Sequence, residues 1–206
     1  SLSPAPAKGS SKQHFMNNYF ELYHMPETFH PNQAEVKSKF YELSRLYHPD
    51  RFAQAGGHER SNALKVSAMN NEAYNTLRNS DATMAYILKL HNLLEDEEKY
   101  TLPNTFLMEM MDLNEALSDF ESTVRVSPAE PRVSPVDPPE TSDAYQMAVN
   151  ALNEQMELWD DATKLLTARF EKGDKSNELL LQIKDQYFRK KYLLRIKERI
   201  DKFASR

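Results

Sequence analysis

His48-Pro49-Asp50 sets an imidazole, a ring of fixed φ and a carboxylate side by side, with Arg51-Phe52 directly after. Taken alone, the tripeptide most simply closes a helix, Asp50 bonding to nearby backbone in an Asx-type turn. A metal site with His58 is conceivable, but His58 follows the Gly56-Gly57 pair and no fourth ligand is evident. A His–Asp catalytic dyad would need a nucleophile and an oxyanion turn, and neither accompanies it.

The elements around the tripeptide are helical. Asn32 with Glu35 three residues on makes a capping-box-like start. Val36, Phe40, Leu43 and Tyr47 then share one face, with Lys37, Lys39 and Arg45 off it. Pro49 disfavours helical geometry at His48, so this helix stops there. Beyond the glycine pair, Val66, Met69, Ala73 and Leu77 mark a second helix, and a shorter one covers roughly Asp81 to Leu90. Further on, Tyr145, Val149, Leu152, Met156, Trp159, Thr163, Leu166 and Phe170 are spaced alternately by four and three. That seam predicts a long helix packed nearly antiparallel on its neighbours. Gly173 ends it, and a last helix is expected from Ser176 to Phe203. No alternating run long enough for a strand occurs, so the fold class is all-α.

Composition closes other routes. The chain has 206 residues, 40% of them hydrophobic, with a formal charge of −5 and no Cys. The negative balance argues against a basic nucleic-acid binder, and the absence of Cys removes disulfides and thiolate metal sites. Four Gly cannot build the phosphate-cradling loops of nucleotide enzymes. No apolar run approaches the roughly 20 residues a membrane helix needs. Residues 1–15 read as a disordered leader or remnant, with Met16 a plausible start. Five prolines between residues 128 and 139 require an extended loop, set at 126–142.

Phe106, Met110, Leu113, Leu117 and Phe120 form one stripe of a helix starting near Asn104. Leu107, Met108 and Met111 lie on its other side, beside Asp112 and Glu115. On the last helix, Leu180, Ile183, Tyr187 and Leu194 share a face, and Leu181, Phe188 and Tyr192 share the opposite one. Each spare stripe is either additional core or a Met-rich, acid-edged surface for an adaptable partner; the pattern alone leaves both open. The basic residues Lys184, Arg189, Lys190, Lys191, Arg195, Lys197, Arg199 and Lys202 read as solvated helix surface rather than an RNA site.

With its flanking helices and Asn71-Glu72-Ala73-Tyr74-x-x-Leu77, the tripeptide resembles that of a J domain. Tyr19-Phe20-Glu21-Leu22-Tyr23, His48 to Ala53, Ala73 to Arg78, Tyr86-Ile87-Leu88, Phe106-Leu107-Met108-Glu109 and Leu113 to Leu117 resemble the HscB/Jac family of J-domain co-chaperones of iron–sulfur cluster assembly. The likeness runs from about Asn18 to Phe203. It departs at Thr83-Met84, where an Arg-Ala pair is usual, and at Asn70, where an aliphatic residue is favoured.

The resemblance implies a J domain over 16–92, a linker at 93–103 and a C-terminal three-helix bundle over 104–206, together L-shaped. It implies a DnaK-type ATPase chaperone (HscA or a mitochondrial counterpart) docking on His48, Pro49 and Asp50, with Lys37, Arg45 and Arg51 meeting its acidic surface. It further implies an IscU-type scaffold bound through Leu107, Met108, Met111, Asp112, Glu115 and Phe188. No catalysis, cofactor, metal, nucleic acid or membrane belongs to the chain on this reading. The expected location is the bacterial cytoplasm, with the mitochondrial matrix as alternative. The rival function is a J-domain adaptor for a different client.

Overall fold

A computed structural model describes residues 18–125 and 143–204. The expected leader, Met16 and the proline-rich loop lie outside them. All regular structure among the described residues is helical, as the absence of alternating patterns predicts. The chain divides into two compact units, Ser1–Ser80 and Asp81–Arg206. The packing boundary thus lies ahead of residue 92, where the resemblance ends the first domain.

In the first unit, α1 (Tyr19–Leu22) is a single turn capped by Asn18. In α2 (Gln33–Leu46), the Asn32 side chain accepts hydrogen bonds from the Ala34 and Glu35 amides at 3.0 and 3.2 Å. Two otherwise orphaned donors of the first turn are thereby satisfied. α2 ends where the sequence requires it: His48 is extended, with φ −60° and ψ 133°, as a residue before proline should be. A 3₁₀ turn over Pro49–Phe52 follows, and then α3 (Gly57–Leu77). Gln33 Nε2 donates to the Leu77 carbonyl, Phe40 stacks on Tyr74 at 4.2 Å, and Asn70 reaches Ser44. This falling register makes α2 and α3 an antiparallel pair.

Asn70 lies inside that pair, 1% exposed. Its amide donates to the Phe40 carbonyl (3.0 Å) and to Ser44 Oγ (3.1 Å), and its Oδ1 accepts from the Tyr23 hydroxyl (2.9 Å). A buried polar side chain survives only with such partners. The departure from an aliphatic residue is therefore a polar clamp joining the segment after α1 to both long helices. Burial pushes the Tyr23 hydroxyl well above the usual phenol range.

The second unit opens with α4 (Ser80–Leu90), whose Asp81 pairs with Lys190 of the last helix. Thr83 and Met84, the other departure, are both buried. The helix expected as one piece from Asn104 is broken: α5 (Asn104–Glu109) stops at Met110, and α6 (Met111–Arg125) follows. The long helices α7 (Asp143–Glu171) and α8 (Asn177–Ala204) fall within a few residues of their predicted limits. Gly173 joins them at φ 107°, a left-handed conformation that favours glycine at a helix end. Asn114 bonds Tyr192 and Glu121 pairs with Arg199, a constant offset that makes α6 parallel to α8. Phe120 packs on Tyr145 and Trp159 Nε1 donates to the Gln186 carbonyl, so α7 runs against both. Phe106, Met110, Leu113, Leu117 and Phe120 all enter this core, with Ala148, Leu152, Leu193, Ile196 and Ile200.

Candidate functional site

His48, Pro49 and Asp50 are all exposed on the turn that follows α2. His48 Nδ1 accepts the Asp50 amide hydrogen at 3.3 Å and lies 3.5 Å from Asp50 Oδ2. An Nδ1 that accepts leaves the neutral imidazole with its proton on Nε2. The Asp50 side chain is 90% exposed, and Pro49 fixes the backbone between the two. His48 thus caps the start of the 3₁₀ turn, a role the Asx-type reading had given to Asp50, whose carboxylate is left exposed.

The turn is held from both sides. Arg51 Nη1 donates to the Arg45 carbonyl at 3.1 Å, and Arg60 Nη2 donates to the Ala53 carbonyl at 3.1 Å. Tyr47 and Phe52 lie parallel with centroids 6.3 Å apart. Arg60 had no signal in the sequence, because its role depends on α3 folding back beside the loop. Lys37 and Arg45 are exposed on α2, so the expected chaperone-facing set lies in one unit, on the turn and the helix that leads into it. Among the described residues no group of three or more His, Asp or Glu converges where a metal could sit.

The second candidate surface is on α5 and α6. Leu107, Met108 and Met111 are 39%, 68% and 64% exposed, and Asp112 and Glu115 are exposed beside them. Opposite them Phe106, Met110 and Leu113 are buried, so α5 and α6 do carry a spare apolar stripe. On α8 the choice that the pattern left open falls the other way for two of the three residues. Phe188 lies flat on Tyr100 at 4.3 Å, and Tyr192 packs edge-on to Phe106 at 5.6 Å, so neither forms an open stripe. The segment before α5 supplies Tyr100, which a wheel of α8 alone cannot anticipate. Of that stripe Leu181 stays open, at 50%. Burial, then the bond from its hydroxyl to Asp185, pushes Tyr100 up to about 12. Arg189 lies over the Phe106 ring at 4.7 Å, which sets α5 against the turn of α8 that carries Phe188.

The basic residues of α8 are largely neutralised within the unit. Lys184 pairs with Glu98, Arg189 with Asp185, Lys190 with Asp81, Lys197 with Asp201 and Arg199 with Glu121. Lys191 and Arg195 lie near the faces of Tyr187 and Tyr192. No helix among the described residues is long and apolar enough to cross a membrane.

No protein-family model matches the chain. It is similar to co-chaperone protein HscB of Proteus mirabilis, 37% identical over 105 residues, which is 50% of this chain and 61% of that protein. The HscB homologue of Vibrio cholerae is 39% identical over 101 residues, 48% of this chain and 59% of the relative. The matches thus span about three fifths of these relatives' length. Among solved structures, chaperone HscB from Vibrio cholerae superposes with a TM-score of 0.64 at 25% identity, covering 90% of this chain and 96% of that one. Human co-chaperone protein HscB gives 0.60 at 25% identity, covering 97% and 83%. These are names of co-chaperones rather than of enzymes. Sequence relatives and solved structures point to one kinship: in sequence and in fold this chain is similar to HscB co-chaperones.

Proposed function

We propose that the chain stimulates ATP hydrolysis by a DnaK-type chaperone and delivers to it an IscU-type iron–sulfur scaffold, promoting cluster transfer. The observation that carries this reading is the exposed, doubly stapled His48-Pro49-Asp50 turn at the end of a helix bearing Lys37 and Arg45. The Asp50 carboxylate is placed to accept a charge-assisted bond from a chaperone Arg, and Nε2 of His48 to donate one. Lys37, Arg45 and Arg51 supply positive charge for an acidic partner surface, which speeds encounter. In the second unit, Leu107, Met108 and Met111 offer the apolar contact, Asp112 and Glu115 its acidic edge, and Phe188 a contact on α8. The cluster is cargo on this reading, and its ligands belong to the scaffold. The bacterial cytoplasm is the proposed location.

The test is chaperone ATPase turnover with and without scaffold. His48→Gln or Asp50→Asn should abolish stimulation while helical circular dichroism and the melting midpoint stay put, because both side chains are exposed. Normal stimulation by either variant would overturn the reading.

A further inference from the structure

The seam that packs α7 into its bundle has a counterpart on the opposite side of the same helix. Met147, Leu158 and Leu165 are 62%, 57% and 72% exposed. At about 100° and 1.5 Å per residue they fall within about 20° of one line, about 27 Å long. Leu152, Thr163 and Phe170, which face the core, lie roughly 150° round the helix from that line. Toward α8 the line opens into a groove of ≈ 690 Å³, lined by Ala162, Leu165, Leu166 and Leu181 among others. Leu181 stands 50% exposed on the α8 side. Three exposed large apolar side chains aligned on one face beside an apolar groove are more than the single apolar residues scattered on any surface.

The charges beside it are mostly acidic; Arg169, about 40° from the line, and Arg189, in the groove lining, are both paired to carboxylates. α7 carries six carboxylates against two cations, Lys164 and Arg169. Both cations are engaged, by Asp160 at 2.5 Å and by Asp174 at 2.8 Å. Glu154 falls within about 20° of the leucine line and Asp161 within about 40°. Glu157 borders it on α7 and Glu178 borders the groove on α8. No ion pair among the described residues engages Glu154, Glu157 or Glu178.

We propose that this face docks an amphipathic helix of a partner protein whose apolar stripe is flanked by Lys and Arg. Helix-in-groove recognition needs anchors at helical spacing and a groove to receive them, and Met147, Leu158, Leu165 and Leu181 provide both. The charge decides the occupant. A second copy of this chain would set Glu154 and Glu157 against their own counterparts, and like charges across an interface oppose association. A cationic helix meets unpaired carboxylates at Glu154 and Glu157 on α7 and at Glu178 beside the groove. The face uses none of the residues assigned to chaperone or scaffold, so it stands or falls independently of that reading.

The probe is a labelled Leu/Lys amphipathic peptide about three heptads long, with a Leu/Glu peptide of the same pattern as counterpart. Each is titrated into the full chain by fluorescence anisotropy. The Leu/Lys peptide should bind, the Leu/Glu peptide should bind roughly tenfold more weakly or worse, and Leu158→Ser with Leu165→Ser should weaken the first by a similar factor. Glu154→Lys with Glu157→Lys removes no apolar contact and should reverse the preference between peptides. Circular dichroism checks that every variant keeps its helix content. Equal binding of both peptides, or Leu/Lys binding unchanged by the leucine and glutamate substitutions, would overturn the proposal. So would sedimentation showing that the chain self-associates through Leu158 and Leu165.

Discussion

Asn70 shows how a residue that departs from an expected pattern is held in place by what surrounds it. Four polar groups (the Asn70 amide and carbonyl oxygen, Ser44 Oγ and the Tyr23 hydroxyl) meet where water is excluded. Removing the Asn70 side chain takes a partner from each of the others, leaving Ser44 Oγ its bond to the Phe40 carbonyl and the Tyr23 hydroxyl its bond to the Asn70 backbone carbonyl. Asn70→Leu should therefore destabilise the chain by about 1–3 kcal/mol, read as a lower denaturation midpoint at unchanged slope. Pairing it with Tyr23→Phe also removes the hydroxyl that has lost its Oδ1 partner. The double variant should lose less than the two single losses added together. Strict additivity would mean that the hydroxyl and the amide do not depend on each other. The sequence exposed Asn70 as unusual but not why, because Tyr23 and Ser44 are 47 and 26 residues away. His48, by contrast, was legible from its neighbours, since Pro49 dictates its backbone and the preceding helix dictates its position.

At the scale of elements, local period predicted most of the fold, and it failed where a neighbour from elsewhere in the chain intervenes. The limits of α2, α7 and α8 follow from Asn32, Pro49 and Gly173, all within reach of the helix ends they set. The break at Met110 has no glycine or proline to announce it. The stripe of Phe106, Met110 and Leu113 runs through it unchanged, so the wheel read α5 and α6 as one helix. On α8 the wheel left Phe188 as either core or open surface, and Tyr100 lies flat on it. Two kinds of anchor follow. Leu107→Ala, Met108→Ala and Met111→Ala remove exposed side chains and should leave the melting midpoint unchanged. If they contact the scaffold, each should weaken its binding by about 1–3 kcal/mol. Phe188→Ala should weaken binding and also lower the midpoint, because it leaves Tyr100 without its stacked partner. Calorimetry against an IscU-type scaffold, beside a melt of each variant, separates the cases. Lower midpoints for the three α5/α6 variants with unchanged binding would make that stripe structural.

Across the whole molecule, the two candidate surfaces belong to different compact units, with His48 in Ser1–Ser80 and Leu107 in Asp81–Arg206. Each unit has its own means of support: the Asn70 clamp and two arginine staples in the first, and in the second a leucine-rich core with Lys184 and Lys190 paired to Glu98 and Asp81. Exposed residues supported in this way should be separable by substitution. Asp50→Asn should lose chaperone stimulation in every condition yet bind scaffold with unchanged affinity. Met108→Ala with Met111→Ala should stimulate the chaperone normally alone and lose only the increment that scaffold adds. Charge reversal at Glu115 should act differently from the methionines, since an exposed rim carboxylate governs encounter more than the persistence of the complex. Its effect should lie mainly in the association rate and shrink as salt rises past the range where the Debye length is about 10 Å. Stopped-flow association at two ionic strengths reads that directly. A Glu115 reversal that changes dissociation alone, with no dependence on salt, would place this carboxylate in a dry central contact rather than at the acidic edge.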